Sequence, residues 1–298
     1  MQVLGSSLGF AYIAWTVDLA AVFEVLKTSP AGHFALAMGV TGAALWVGAF
    51  RWRAMLAAYG APHRPGVARL AHVYAVGFFY NTYLPGGVGG DVVRGMATRE
   101  EFGEEGTTRA MTVVLVERLL GLAGLFAVVA GVLVVAPPMG LEPMIPYALV
   151  AIAAVLAGVG GIGFARRLSS RLGGSNCIAR RLAALPGLVS FPHLLLVFVF
   201  SLGTQSLVAI TGFVVLSGIA PDITLAQAFV VVPVVAASAF LPFTVGGAGA
   251  REAAFVAMCA VATDVSETDA TAASLLLWAT QLAVAGLGGL LQLARPIG

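Results

Sequence analysis

Six charged side chains of this sequence are predicted to lie at membrane depth, where a charge is costly unless it has a partner or a function. They are Asp91, Arg94, Glu117, Arg118, Arg251 and Glu252. Arginine recognises phosphate and carboxylate groups through paired hydrogen bonds. Arg94 and Arg251 are therefore predicted to contact an anionic headgroup.

The other four charged side chains have both a binding and a structural interpretation. Glu117 is a candidate partner of either arginine, in a substrate site or in an interhelical pair that only fixes packing. Arg118 points to a different part of the helix surface and needs another partner. Asp91 is a candidate N-cap as well as a binding residue, and Glu252 is a candidate counter-ion of the arginine before it. Asn81, Gln205 and Gln281 are uncharged companions in the apolar stretches.

Little in the sequence points to catalysis or to metal binding. The four histidines lack the spacing of metal ligands, and the two cysteines form no CxxC pair. No Walker A motif is present, and no paired aspartate motif of lipid-phosphate chemistry. We therefore expect no metal, no cofactor and no enzymatic activity. An embedded enzyme acting on a lipid phosphate or a polyprenyl-phosphate sugar is the alternative.

The two arginines each follow a glycine-rich turn, and the two turns are similar. The segment LPGGVGGDVVR at 84–94 is identical to LPFTVGGAGAR at 241–251 at six of eleven positions. Glycine lets the backbone approach a ligand, and close helix packing is its alternative role. The candidate motif residues are Pro85, Gly86, Gly87, Gly89, Gly90, Pro242, Gly246, Gly247 and Gly249.

The elements that carry these residues are apolar enough to cross a membrane. Of the 298 residues, 59% are hydrophobic and 10% are charged, whereas a soluble domain has about 25% charged residues. The mean hydropathy is +0.97. The composition predicts an all-α polytopic membrane protein with one transmembrane domain, residues 1–298, and about six full spans. Residues 3–17 are apolar but short for a span, and they are followed either by an interfacial helix that Asp18 caps or by the rest of one tilted helix over 3–26. The further apolar stretches are 33–50, 66–83, 111–136, 144–164, 193–217, 225–242, 249–262 and 271–293.

The positive charges divide the connections between these stretches into two groups. Arginines occur in 51–69, in 165–192 and at Arg295, whereas 137–143, 218–224 and 263–269 contain no lysine or arginine. Under the positive-inside rule the first group is cytoplasmic and the second is external. We therefore predict a multi-pass protein of the cytoplasmic (inner) membrane with both termini in the cytoplasm.

This charge pattern requires two apolar segments that enter and leave on the same side. Residues 66–94 are predicted to enter from the cytoplasm and 225–262 from outside, each reversing at its glycine-rich turn. Such turns at membrane depth must be buried in protein or line a wet cavity. Two similar segments that enter from opposite sides are typical of inverted repeats in transporters.

At these residues the sequence resembles a known family. The motif NxxLPGGxGGDxxR, from Asn81 to Arg94, resembles the signature of the lysylphosphatidylglycerol synthase transmembrane-region family of flippase-like domains. Three further segments fit this pattern, and together the resemblance runs from about Asp18 to the last helix. They are Arg51-Trp52-Arg53, Glu117-Arg118-Leu119 and Gly247-x-Gly249-x-Arg251-Glu252.

The resemblance implies a lipid-moving function. In multiple peptide resistance factor proteins this kind of domain is associated with moving aminoacylated phosphatidylglycerol between leaflets, and other relatives act beside polyprenyl-linked glycosyltransferases. No aminoacyltransferase domain follows the last helix of this chain, so we do not expect it to synthesise lysylphosphatidylglycerol.

We expect a flippase-like translocase for an anionic phospholipid or a polyprenyl-linked lipid. Membrane lipids are its expected partners, with a lipid-modifying protein or a glycosyltransferase as an implied one and no nucleic acid. A small-solute secondary transporter with inverted repeats and a helper subunit of a glycosylation complex are the alternatives.

Overall fold

The computed structural model describes residues 19–84, 87–103, 106–138, 140–169, 185–238 and 250–297. The regular structure of these residues is helical. Helices satisfy their backbone hydrogen bonds internally, which a chain in hydrocarbon requires. The α-helices are α1 Leu19–Thr28, α2 Ala31–Ala58, α3 Val67–Tyr83, α4 Gly89–Ala97, α5 Gly106–Val135, α6 Ile145–Ser169, α7 Phe191–Ser217, α8 Leu225–Ser238, α9 Ala250–Ala262 and α10 Glu267–Ala294. Short 3₁₀ helices cover Arg99–Phe102 and Glu142–Met144.

Five helical segments of the described chain are long and apolar enough to cross a membrane: α2, α5, the segment Glu142–Ile162 that includes most of α6, α7 and α10. The prediction of an all-helical polytopic membrane protein is therefore confirmed. A tilted helix over 3–26, one of the two alternatives for the first segment, would be the sixth span, and residues 1–18 lie outside the described part. The spans differ in how much of their length is buried inside the protein. In α5, 44% of the apolar window is buried, compared with 6% in α6. Helix α5 is thus central, and α6 presents most of its surface to lipid.

Helix α2 is longer than its apolar stretch, and this changes the place of Arg51. The stretch 33–50 was predicted to end before Arg51, which was assigned to a cytoplasmic connection. That boundary was wrong, because α2 continues to Ala58. Trp52, Met55 and Leu56 are fully buried in this last part, so packing stabilises helix beyond the point where hydropathy falls.

The first glycine-rich turn reverses the chain as predicted. Helix α3 ends at Tyr83, α4 begins at Gly89, and the two pack against each other. The side-chain oxygen of Asn81 accepts a hydrogen bond of 2.7 Å from the backbone N–H of Gly90. A positive φ of 61° at Gly87 provides the tight reversal. These contacts define a hairpin, while its membrane depth stays a prediction.

The second predicted hairpin also contains two helices, α8 and α9, which correspond to α3 and α4 of the first hairpin. Helices α8 and α9 pack against each other. The turn itself, with Pro242, Gly246, Gly247 and Gly249, lies outside the described residues, as do Pro85 and Gly86 of the first turn.

The helix packing follows a two-fold pattern that extends well beyond the hairpins. If α1 to α5 are matched in order with α6 to α10, the contacts correspond. Helix α1 packs on α10 and α6 on α5; α3 packs on α10 and α8 on α5; α2 and α7 pack on each other. The described contacts of the two sets of five helices thus correspond, and that the two sets are repeats stays a prediction. The opposite membrane orientation of the two halves stays a prediction.

Replacing Gly90 with alanine is expected to destabilise the first hairpin. A Cβ at Gly90 would overlap the backbone carbonyl of Gly77 in α3, and backbone cannot move away cheaply. We expect a loss of about 1–3 kcal/mol, visible as a lower thermal unfolding midpoint in detergent. Gly39→Ala in α2 is the control, because no atom lies within 4 Å of its added Cβ. An equal midpoint for both variants would contradict the close approach of α3 and α4.

Candidate functional site

A buried carboxylate, Glu117, joins four helices near the centre of the protein. It lies on α5 and is 0% exposed. Its Oε1 accepts a hydrogen bond of 2.9 Å from Nε of Arg51 on α2 and another from the hydroxyl of Tyr74 on α3. Its Oε2 accepts one of 2.6 Å from Nη1 of Arg94 on α4. Three donors on three other helices thus compensate a charge that could not otherwise be buried.

Arg94 is enclosed by partners on all sides. Besides Glu117, its guanidinium pairs with Asp91 one turn earlier at 2.5 Å. Its Cζ lies 4.6 Å from the ring centre of Tyr74 and 5.5 Å from that of Trp52, within range of cation–π attraction. These contacts hold α4 against the protein core.

Arg118 connects α5 to the tip of the first hairpin. Its Nη2 donates a hydrogen bond of 2.7 Å to the backbone carbonyl of Gly87, and its Nε pairs with Asp91. The prediction that Asp91 is an N-cap was wrong, because Val88 occupies that position and Asp91 lies inside the helix. Asp91 instead links two arginines. We call Arg51, Asp91, Arg94, Glu117 and Arg118 the first charge cluster.

The second hairpin carries a smaller set of polar contacts. Nη1 of Arg251 donates a hydrogen bond of 3.0 Å to Oε1 of Gln281 on α10. Nη2 of Arg251 pairs with Glu252 at 2.6 Å, as predicted for a counter-ion. Nε of Arg251 is buried and has no hydrogen-bond partner among the described residues. The N–H at Nε of Arg251 is thus without an acceptor in the described part of the chain.

A cavity of about 380 Å³ lies between the two hairpins. Its walls come from α2, α3, α7, α8, α9 and α10. Most of the lining is apolar, as in small-molecule sites that hold a ligand by a few polar groups. Arg51 reaches it from the first half of the chain and Arg251 from the second, so the cavity joins both halves.

Comparison with known proteins decides the family. The model of the lysylphosphatidylglycerol synthase TM region matches residues 2–289, nearly the whole chain. This chain belongs to the lysylphosphatidylglycerol synthase TM region family. The resemblance that was seen in its motifs is thereby confirmed. None of the curated proteins compared with the chain matches it.

In this member of the lysylphosphatidylglycerol synthase TM region family, the predicted site residues separate into two groups. Arg251 lines the cavity, whereas Arg94, Asp91, Glu117, Arg118 and Glu252 are not among its lining residues. Asn81 is used inside the first hairpin, where it accepts from Gly90. The contact of Arg94 with a headgroup therefore stays a prediction, and its observed partners are those of a structural anchor.

Sequence reasoning missed three members of the site. Arg51 was assigned to a loop, and Tyr74 and Ser274 were not considered. Tyr74 and Ser274 carry no charge, and a hydropathy profile therefore does not distinguish them from the apolar residues around them. The sequence signal for Arg51 was its neighbour Trp52, because an aromatic side chain there favours a helix that continues into the core. The structure shows Trp52 fully buried.

Metal binding gains no support from the described residues, where no group of three or more histidine, cysteine or acidic side chains could hold a metal ion. The expectation of a site without metal or cofactor stays a prediction.

Proposed function

We propose that this protein moves an anionic lipid between the two leaflets of its membrane. The observation that carries the proposal is the cavity between the hairpins, where an arginine from each half of the chain lines one space. Its volume of about 380 Å³ suits a lipid headgroup but not acyl chains. The chains would stay in the hydrocarbon while the headgroup occupies the cavity.

The physical problem in lipid translocation is the charge of the headgroup. A charged group at the bilayer centre is expensive, and the cost falls when fixed opposite charges and hydrogen-bond donors replace water. In this mechanism Arg51 and Arg251 supply the opposite charge, and the ion pairs around Glu117 hold Arg51 in place. The mechanism requires no covalent step.

The orientation of the protein is part of the proposal. Arg53 near the end of α2, Arg64 in the connection that follows it and the arginine-rich connection between α6 and α7 lie on the cytoplasmic side under the positive-inside rule, with both termini on that side of an inner membrane. Labelling of single cysteines introduced at Gly140 and Arg64 from one side of sealed vesicles tests this orientation. Equal labelling of both positions would contradict it.

The test of translocation is inter-leaflet exchange in reconstituted vesicles. A fluorescent anionic lipid is placed in both leaflets, and dithionite added outside quenches only what reaches the outer leaflet. We expect the wild type to expose the whole pool and the double variant Arg251→Gln, Glu252→Gln to expose about half, as in protein-free vesicles. The double variant removes an ion pair without leaving an unpaired carboxylate buried.

The matched control is Arg69→Ala, because Arg69 is an exposed arginine of α3 that does not line the cavity. It should exchange lipid like the wild type. Wild-type protein that behaves like empty vesicles with several anionic lipids would contradict the proposed function, and full exchange by the double variant would contradict the place of the headgroup.

A further inference from the structure

The polar side chains of the cavity differ in whether their hydrogen-bond donors are already used. The hydroxyls of Thr41, Thr204 and Thr211 donate to carbonyls of their own helices at 2.8, 2.9 and 3.0 Å. Gln205 donates to the carbonyl of Gly121 at 3.2 Å, and Tyr74 donates to Glu117. On the walls formed by α2, α3 and α7, these hydroxyl groups and one amide N–H of Gln205 therefore point away from a ligand.

Unused donors gather on the opposite wall, formed by α9 and α10. Oγ of Ser274 is buried and has no hydrogen-bond partner among the described residues, and the same holds for Nε of Arg251. The Oε1 atom of Gln281 accepts from Arg251, which fixes the orientation of the amide and leaves its NH₂ group to donate. Buried polar groups without a partner are rare in proteins, so this wall is suited to an acceptor-rich ligand.

The charges around the cavity do not cancel. The first charge cluster contains three arginines and two carboxylates, and Arg251 and Glu252 add one charge of each sign. Residues 239–249, which lie outside the described part, include no charged residue in the sequence. Among these described groups one positive charge is in excess, and Arg51 is the member of the first charge cluster that lines the cavity. An uncompensated charge in a low-dielectric region attracts one counter-ion.

We infer that the cavity binds one singly charged oxyanion, with Ser274 and Gln281 as its specificity-determining side chains beside Arg251. This inference rests on the proposed function and narrows its substrate to headgroups with a single negative charge, such as a phosphodiester. A doubly charged phosphate monoester leaves a negative charge uncompensated, and a zwitterion brings a cation next to Arg51. A lipid headgroup and a soluble monoanion share the required chemistry.

Calorimetric titration of the purified full chain in non-ionic detergent at pH 8 tests the inference. The probes are dihexanoyl phosphatidylmethanol, which is a monoanion, dihexanoyl phosphatidic acid, dihexanoyl phosphatidylcholine and soluble dimethyl phosphate. We expect the phosphatidylmethanol to bind one per protein and at least about tenfold more tightly than the phosphatidic acid or the phosphatidylcholine. Binding of dimethyl phosphate as tight as that of the lipid would assign the site to soluble anions.

Two substitutions test the cavity wall formed by α9 and α10, which carries the hydrogen-bond donors assigned to the ligand. Ser274→Ala should weaken phosphatidylmethanol binding by about tenfold, the usual loss for one hydrogen bond to a charged group. Gln281→Glu keeps the acceptor for Arg251 but removes the amide donors and the excess positive charge, so its loss should be larger. Ser201→Ala is the control, because this buried hydroxyl donates to Val197 within its own helix and does not line the cavity.

The outcomes separate the inference from the proposed function. Wild-type affinity in both variants, or equal affinity for the singly and doubly charged lipids, would overturn the inference even if lipid exchange is observed. Binding that depends on Ser274 and Gln281, together with no exchange by the wild type, would support the inference and contradict translocation.

Discussion

Glu117→Gln is expected to destabilise the protein by about 3–5 kcal/mol, the cost of breaking a buried ion pair by removing one partner. The carboxylate of Glu117 compensates Arg51 at 2.9 Å and Arg94 at 2.6 Å. The neutral amide keeps the size of the side chain but leaves two buried guanidinium groups short of one negative charge. Thermal unfolding followed by helical ellipticity in detergent measures the effect.

The control variant for Glu117→Gln is Glu24→Gln in α1. Glu24 pairs with Lys27 at 2.7 Å, but both side chains are more than half exposed. Exposed pairs contribute less than about 1 kcal/mol, so this variant should unfold close to the wild type. If the two variants lowered the midpoint equally, Glu117 would not be the anchor that its contacts indicate.

Filling the cavity is expected to stop lipid exchange without unfolding the protein. Ala44 lines the cavity from α2, and a tryptophan there would occupy the space assigned to the headgroup. Exchange in vesicles containing Ala44→Trp should fall to the rate of protein-free vesicles. The reason is steric, since the arginines and the ion pairs are unchanged.

The neighbouring residue provides a matched control. Ala43 is exposed on the other side of α2, so the same bulky substitution there should be accommodated and exchange should persist. Both variants add the same side chain to the same helix, which removes hydrophobicity and helix propensity as explanations. Loss of exchange in both, or in neither, would contradict the assignment of the cavity to the headgroup.

The two halves of the protein use similar arginines for different purposes. Arg94 pairs with both Asp91 and Glu117 and is 7% exposed. Its charge is therefore compensated by two carboxylates that attach the first hairpin to α5. Arg251 has one carboxylate partner and a glutamine, and its Nε has no hydrogen-bond partner among the described residues. The two similar motifs thus differ in their surroundings, because Arg94 is enclosed by partners in the first hairpin and Arg251 lines the cavity.

Local sequence was sufficient for the class of fold and for the position of the first turn. Hydropathy predicted the helices because each span must satisfy its backbone and present apolar side chains to lipid over its own length. The turn at 84–90 was predicted because proline and glycine act within a few residues. The need for partners around Glu117 and Arg94 was also evident, since charges in apolar segments are costly.

Which partners meet was decided only by the tertiary structure. Arg51 and Glu117 are separated by 66 residues, and no local pattern states that α2 brings one to the other. The same limitation applies to the hydroxyl of Ser274, because its lack of a partner among the described residues depends on its surroundings and not on its residue type. The sequence by itself determined a membrane protein with charged groups at two repeated turns, while the packing of distant helices determined which of those charges are neutralised and which line the cavity.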